Sequence, residues 1–329
     1  MARLRISPFT WLILGAVVIA FLWPAKGEAA IWMGHMTTAG VALLFFVHGA
    51  ALPRQAVIAG LTQWRLHLFI FSITFIIFPL LVLPLVPIGR SWLPADLILG
   101  FLYLAALPSA VSSSIAFTAI ARGNVPAAVC SAAGSNVFGM MLTPVLLSIM
   151  IGSSAEGGFT LIDALQDIVL IMLLPFGAGQ FIRSWVARWL DSHPMFSECV
   201  DQVVLLLIIY VAFAQSVVDG LWQNVPSVVL LLAIVLCFVL LMLVFALTWW
   251  LSRQLGFSTG DEIAAVFCGS KKSLASGLPM AKVMFAAHPG FGLIVLPIII
   301  YNQVQIIVGA LLAQRYAERA EEGGTASLV

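Results

Sequence analysis

Ten stretches of about 20 predominantly apolar residues follow one another along this chain, near 9–24, 31–52, 66–87, 95–121, 124–151, 163–184, 200–218, 226–251, 260–285 and 291–314. Each is long enough to cross the hydrocarbon core of a bilayer as one helix. Clusters of turn-forming and charged residues separate them, among them Pro53-Arg54, Pro87 to Arg90, Arg122 to Asn124, Gly152 to Gly158 and Asp191 to Pro194. Of the 329 residues, 62% are hydrophobic and 9% charged, against roughly 45–50% and about 25% in soluble domains. A water-soluble globule of this size buries only about 75% of its unfolded surface, which leaves too much apolar surface in water. The chain therefore reads as an all-α polytopic membrane protein. Soluble enzymes, nucleic-acid binders and disordered chains are excluded, and a net charge of +1 offers nucleic acid no basic surface.

The first thirty residues have a charged start and an apolar run, as a signal peptide does. Bulky Trp23-Pro24 closes that run, so the segment is expected to be a retained first span. With the N-terminus in the cytoplasm, Arg3, Arg5, Arg54, Arg65, Arg122, Arg183, Arg188, Arg253, Arg315 and Arg319 all fall on the inner side, while the outer side holds Lys26 and Arg90. That bias places both termini in the cytoplasm. Cys130, Cys199, Cys237 and Cys268 lack metal-ligand spacing, as do His35, His48, His67, His193 and His288, so no metal site is expected beyond a possible sodium ion.

Three basic residues remain, Lys271, Lys272 and Lys282, all inside the ninth apolar stretch. A lysine at mid-membrane costs about 2.5–3.5 kcal/mol on the insertion scale, so an adjacent pair needs a reason. Lys282 lies near a span end, where snorkelling suffices. Dividing the chain at the Gly152–Gly158 loop gives five spans on each side. Five is odd, so the second half enters the membrane inverted. The expected organisation is a first five-helix repeat over 1–157, an inverted repeat over 158–314, and a frayed cytoplasmic tail over 315–329.

Such repeats place interrupted helices at corresponding positions, with the binding site between them. The fourth span carries Leu107-Pro-Ser-Ala-Val-Ser-Ser-Ser-Ile-Ala116, and the ninth carries Phe267-Cys-Gly-Ser-Lys-Lys-Ser-Leu-Ala-Ser-Gly-Leu-Pro279. Proline, glycine and serine weaken both helices, and the freed backbone groups must find partners inside the protein. Aligning Ser114-Ile-Ala with Ser273-Leu-Ala sets the lysine pair opposite Ser112 and Ser113. Candidate substrate or coupling residues are Lys271, Lys272, Ser270, Ser273, Ser112 and Ser113. Asn302 or Gln303 of the tenth span is expected to face the crossing, since an unpaired amide in lipid is costly, and Thr74 is a candidate for the same cavity. Packing between helices is the alternative for each amide, and back-bonding to the helix for each serine.

With these residues in view, the chain resembles the bile acid:sodium symporter superfamily, solute carrier family 10, over about residues 5–320. The run from Phe267 to Gly277 is similar to the signature of a branch that includes member seven and bacterial sodium-dependent transporters. The resemblance implies a panel domain of spans one, two, six and seven. It also implies a core domain of spans three to five and eight to ten, in which four and nine cross. It further implies alternating access, a small organic anion as substrate, and a bacterial inner membrane as location. Sodium-coupled members use hydroxyls and an amide of spans four and five, which correspond here to Ser113, Ser114, Ser131, Ser135 and Asn136. Those oxygens suit a hard cation. The ninth-span glutamate of such sites is replaced near Phe267, however, and the glutamine-asparagine pair that follows it corresponds to Lys271-Lys272. A sodium ion 4 Å from an ammonium would be repelled by about 4 kcal/mol at an effective dielectric near 20. The expectation is therefore that an ammonium replaces one sodium ion. Lys271 is favoured for that place and Lys272 for holding the anion, and an ammonium able to release its proton would allow proton coupling. The alternative for Lys271 is a permanently charged strut on helix-end carbonyls.

Other classes fit less well. Ser270, Lys271, Lys272 and Ser273 suggest a Ser–Lys hydrolase dyad, but adjacent residues on one broken helix rarely reach attack geometry. A channel would show single-channel conductance. A non-transporting regulatory membrane protein acting through a partner would keep its phenotype without the two lysines. The substrate, the coupling ion and the oligomeric state are not legible in the sequence.

Overall fold

The computed structural model describes residues 8–51, 63–152, 161–285 and 288–325. Among them the regular structure is helical, apart from one isolated two-residue bridge. The helices are α1 (Pro8–Leu22), α2 (Glu28–Ala51), α3 (Trp64–Gly89), α4 (Ala95–Ala106), α5 (Ser112–Ile120) and α6 (Val125–Ile151). Then come α7 (Leu161–Ile168, continuing through Leu174–Ser192), α8 (Pro194–Val218), α9 (Ser227–Gln254), α10 (Thr259–Ser270), α11 (Leu274–Phe285) and α12 (Phe291–Thr325). Seven of these, α2, α3, α6, α7, α8, α9 and α12, are long and apolar enough to cross a membrane, among the described residues. Helices α1, α4 and α11 are apolar but shorter.

Local chemistry sets the boundaries. The Asn124 side chain accepts a hydrogen bond from the Ala127 N–H (3.1 Å) to start α6, and Gly152 ends it at φ 76°. The Ser258 hydroxyl accepts from the Asp261 N–H (3.2 Å) at the head of α10. Two helices carry a π turn just before a proline: Ile73–Ile77 ahead of Pro79, and Val169–Leu173 ahead of Pro175. The ring that lacks an N–H makes the wider turn cheap there. The expected ninth span, 260–285, is two 12-residue helices joined by the extended residues 271–273. The fourth breaks likewise, between Ala106 and Ser112. Helix α12 runs on to Thr325, beyond residue 315 where the tail was expected to fray, because Ala, Glu and Arg there are strong helix formers.

The packing separates into two groups. Helices α1, α2, α7 and α8 pack on one another, and α3–α6 pack with α9–α12. Helix α8 also touches α11 and α12, and α6 touches α7, so these helices join the groups. Helix α9 shows how an apolar helix divides its surface: Ala233, Cys237, Leu241 and Val244 are buried, while Leu231, Ile234, Phe238 and Met242 stay exposed on the face that lipid would cover.

The first group depends on two glycines at the α2–α7 contact. A Cβ on Gly49 would collide with the Phe176 carbonyl, and one on Gly179 with the Phe46 carbonyl. Lipid tails give helices little hydrophobic drive to associate, so close backbone approach supplies the dispersion energy instead. Gly49→Leu should separate the helices and lower the melting temperature by several degrees, the effect of about 1–3 kcal/mol of overpacking. Gly34→Leu, in open space on the same helix, should leave it unchanged. Melting curves of the detergent-purified variants, read by size exclusion, would check this; equal melting of the two would contradict it.

Candidate functional site

The two breaks lie against each other as a short antiparallel pairing of Ser109 with Lys272. The Ala110 N–H donates to the Lys271 carbonyl (3.2 Å), and the Ser273 N–H donates to the Pro108 carbonyl (2.9 Å). Each unwound segment thus satisfies part of the other's backbone. The second edge of the ninth-span segment is taken by Gln305 of α12, whose Oε1 accepts from the Lys272 N–H and whose Nε2 donates to the Lys272 carbonyl, both at 2.9 Å.

Four helix ends meet here, and side chains take up carbonyls orphaned at the two C-terminal ones. At the C-terminus of α10, the Ser109 hydroxyl donates to the Cys268 carbonyl (2.6 Å), Ser114 to Phe267 (3.0 Å) and Tyr301 to Ser270 (2.7 Å). At the C-terminus of α4, Thr143 donates to Ala106 (2.9 Å), and an ammonium does the rest. Lys272 Nζ donates to the carbonyls of Leu107 (2.7 Å), Ala105 (2.8 Å) and Thr74 (2.9 Å), with the Phe78 ring centroid 4.1 Å away.

Each acceptor is free for a local reason. The Phe78 N–H reaches back five residues to Ile73 in the π turn, and Pro79 has no N–H, so the Thr74 carbonyl has no helical donor. The Ser109 N–H, which a continuing helix would send to Ala105, goes to Ser135 Oγ (3.0 Å). Leu107 lies where the helix has already ended. The negative end of the α4 dipole adds to the attraction. Lys272 therefore uses all three donors with no exposure to solvent. No carboxylate pairs with either lysine among the described residues.

Lys271 is equally buried but held less tightly. Its Nζ donates to the Ser113 carbonyl at 3.3 Å and sits over the Phe117 ring at 3.3 Å, with Phe267 at 5.5 Å. Gly309 leaves the room this needs, since a Cβ there would lie 3.1 Å from Lys271 Cε and 2.9 Å from Phe117. The strut geometry expected as the alternative for Lys271 belongs to its neighbour.

The remaining candidates are spread around the pairing. Ser135 takes the Ser109 N–H, and Asn136 Nδ2 donates to the carbonyls of Ser109 (2.7 Å) and Ala132 (3.0 Å) while its Oδ1 accepts from Ser276. Ser131 is paired with His67 Nδ1 (2.7 Å), on the α3 side. Ser273 Oγ accepts the Ser276 N–H (3.1 Å), Ser270 Oγ bonds back to Val266, and Ser112 is exposed at the head of α5. Asn302 accepts from Gln305 Nε2 (3.1 Å), whereas Gln303 turns away and accepts from Thr10 of α1 (2.9 Å). The Thr74 hydroxyl bonds to Ile70, and it is the Thr74 carbonyl that meets Lys272. Residues missed by sequence reasoning are Gln305, Tyr301, Phe78 and Phe117. Tyr301, Gln305 and Gly309 recur every four residues, the spacing of one helix face, and that pattern was available to find them.

Removing the ammonium would strand three buried carbonyls, each costing about 1–3 kcal/mol. Lys272→Met should therefore cost about 3 kcal/mol or more and Gln305→Leu about 1–3 kcal/mol, with Lys271→Met milder than Lys272→Met. Thermal melting in a fixed detergent would check that order. Equal melting of Lys272→Met and the parent would contradict it.

The model of the SBF-like CPA transporter family matches residues 7–318. An uncharacterized protein of Pseudomonas aeruginosa is 48% identical over 328 residues, covering 99% of this chain and 98% of that protein. YfeH of Escherichia coli, whose name marks it as a candidate symporter, is 41% identical over 321 residues, 96% of this chain and 95% of that protein. Sodium/bile acid cotransporter 7-B of Xenopus laevis is 31% identical over 319 residues, 92% of this chain and 90% of that protein. These matches agree with the resemblance seen at the lysine motif. The chain belongs to the SBF-like CPA transporter family, and it is an integral membrane transporter rather than an enzyme.

Proposed function

We propose that the chain is a secondary active transporter that moves a small organic anion by alternating access, with Lys272 standing permanently in the place of a coupling cation. The observation that carries this is the Lys272 ammonium on three helix-end carbonyls at the crossing of two unwound segments. Carbonyls freed at broken helices are the groups with which transporters hold cations at mid-membrane. Here a tethered cation already fills them.

The proposed architecture is ten spans in two inverted repeats, 1–157 and 158–314, followed by a cytoplasmic tail over 315–329. In it α4 with α5 and α10 with α11 each serve as one broken span. The α3–α6 and α9–α12 group, the core, would move against the panel of α1, α2, α7 and α8. Both termini would face the cytoplasm of a bacterial inner membrane. Relatives named as sodium/bile acid cotransporters motivate an amphipathic organic anion as the first substrate class to test. Among the side-chain oxygens assigned by resemblance to sodium, Ser131 is paired with His67, Ser135 Oγ takes the Ser109 N–H and Asn136 Oδ1 accepts from Ser276, which supports transport without sodium. Lys271, with a single carbonyl partner and an aromatic ring, is the ammonium more easily released toward an anion or to give up a proton. The burial of both lysines also suits the second reading, a regulatory protein whose core carries no cargo.

Purified protein in liposomes loaded with taurocholate should exchange it for labelled taurocholate outside at the same rate in sodium and in choline, and Lys271→Met should slow exchange. A melting temperature that is insensitive to sodium in the parent should become sodium-sensitive in Lys272→Ser, since a ligand at a hundredfold excess over Kd stabilises by about 2.7 kcal/mol. A saturable sodium shift in the parent, lost in Asn136→Ala, would overturn the tethered-cation reading. No exchange of any organic anion under sodium, proton or null gradients would favour the regulatory one.

A further inference from the structure

Away from the crossing, a cavity of about 250 Å³ opens between α9 and α12 near the end of the core that carries Arg253 and Arg315. One wall is a single face of α9, with Met242, Phe245 and Trp249 at helical spacing. Leu312 and Arg315 of α12 form the other wall, and the buried Val266 of α10 forms the floor. At 1.5 Å per residue the apolar wall runs about 10 Å inward from Trp249 to Met242. Trp249 marks the rim, as tryptophans do at a membrane interface.

The charge is concentrated at that rim. The Arg253 guanidinium lies 4.6 Å from the Trp249 ring centroid, and its Nε donates to Glu262 (2.9 Å), leaving its side chain 54% exposed. Glu262, nearly buried, also accepts from the Tyr316 hydroxyl (2.9 Å), so its charge is spent within the protein. Arg315 is exposed and has no hydrogen bond or ion pair among the described residues. Glu318, the next acidic group along α12, lies a turn beyond and does not line the cavity. An apolar groove about 10 Å long, enough for the headgroup-proximal half of an acyl chain, that opens under two arginines matches one class of molecule: anionic at one end, hydrocarbon at the other, and already in the bilayer.

We propose that this groove is a binding site for an anionic phospholipid, its phosphate at Arg315 and Arg253 and one acyl chain laid along Met242 to Trp249. Occupancy would brace α9 against α12 beside the Arg253–Glu262–Tyr316 link, which holds α10 to both. Basic pockets between membrane helices recognise lipid headgroups in this way, each surface arginine contributing about fivefold in affinity.

The full chain in zwitterionic phosphatidylcholine nanodiscs would be titrated with phosphatidylglycerol, with retention read by native mass spectrometry and stability by thermal melting. Expected are a saturable upward shift in melting temperature, about fivefold weaker retention in Arg315→Gln, and no change in Arg188→Gln. Leu312→Trp, which fills the groove while sparing the charges, should also weaken retention. Because Arg315 has no partner among the described residues, its removal tests the site without breaking an ion pair. Equal shifts with phosphatidylglycerol and added phosphatidylcholine would overturn the proposal. So would unchanged retention in Arg315→Gln, or an equal shift from glycerol phosphate alone, which would show a headgroup site without a chain groove.

Discussion

Everything near the membrane centre depends on how unpaired carbonyls are satisfied where water is absent. Breaking a helix in the bilayer frees peptide groups at a cost of several kcal/mol each. This protein breaks two and lets the breaks meet. Pairing of 107–110 with 271–273 uses part of the freed backbone, and the surplus at α4 is concentrated on one ammonium. That ammonium in turn needs a dense set of acceptors, because no carboxylate pairs with it among the described residues. The arrangement is mutual, since the break makes the charge tolerable and the charge makes the break tolerable.

The two breaks solve the same problem differently. At α10 the loose carbonyls are capped by neutral hydroxyls from Ser109, Ser114 and Tyr301. At α4 a cation does the work, and it also recruits a third helix through the Thr74 carbonyl exposed by the π turn before Pro79. A helix irregularity that looks local in α3 is thereby a ligand for a residue 198 positions away. Gln305 performs the complementary task from α12, so the ninth-span break is held from three sides.

Much of this was legible in the sequence. Long apolar runs gave the membrane class, and Pro108 with the 268–279 run located both breaks. The lysine pair drew attention to the crossing of the two breaks, because charge in an apolar run needs explanation. Which lysine does which job was not legible. Adjacent residues in an extended segment point to opposite sides, and only the positions of α3, α5 and α12 around that segment decide where each goes. The sequence offers Asn302 or Gln303 for the crossing without a register; Asn302 lies beside Gln305 and Gln303 turns away, although the four-residue recurrence of Tyr301, Gln305 and Gly309 contained that register. Thr74 is a candidate for the cavity from its sequence, but the group that meets Lys272 is its carbonyl, and backbone groups leave no mark in a residue code. Of the serines that the resemblance assigns to sodium, Ser114 also caps the Phe267 carbonyl, and Ser131 and Ser135 pair with His67 and the Ser109 N–H, which residue type alone does not reveal.

A bound ion arrives and leaves with each cycle, but a side-chain ammonium is covalently part of the helix that carries it. If the core travels along the membrane normal, the charge on Lys272 travels with it, loaded or empty, in both directions. The membrane potential, worth about 2.3 kcal/mol per unit charge across 100 mV, then acts on the return of the empty carrier as well as on the loaded step. An anion bound nearby would partly cancel that charge on the outward or inward leg alone. A tethered cation thus places voltage sensitivity on the unladen half of the cycle, where a departing sodium ion would have left none.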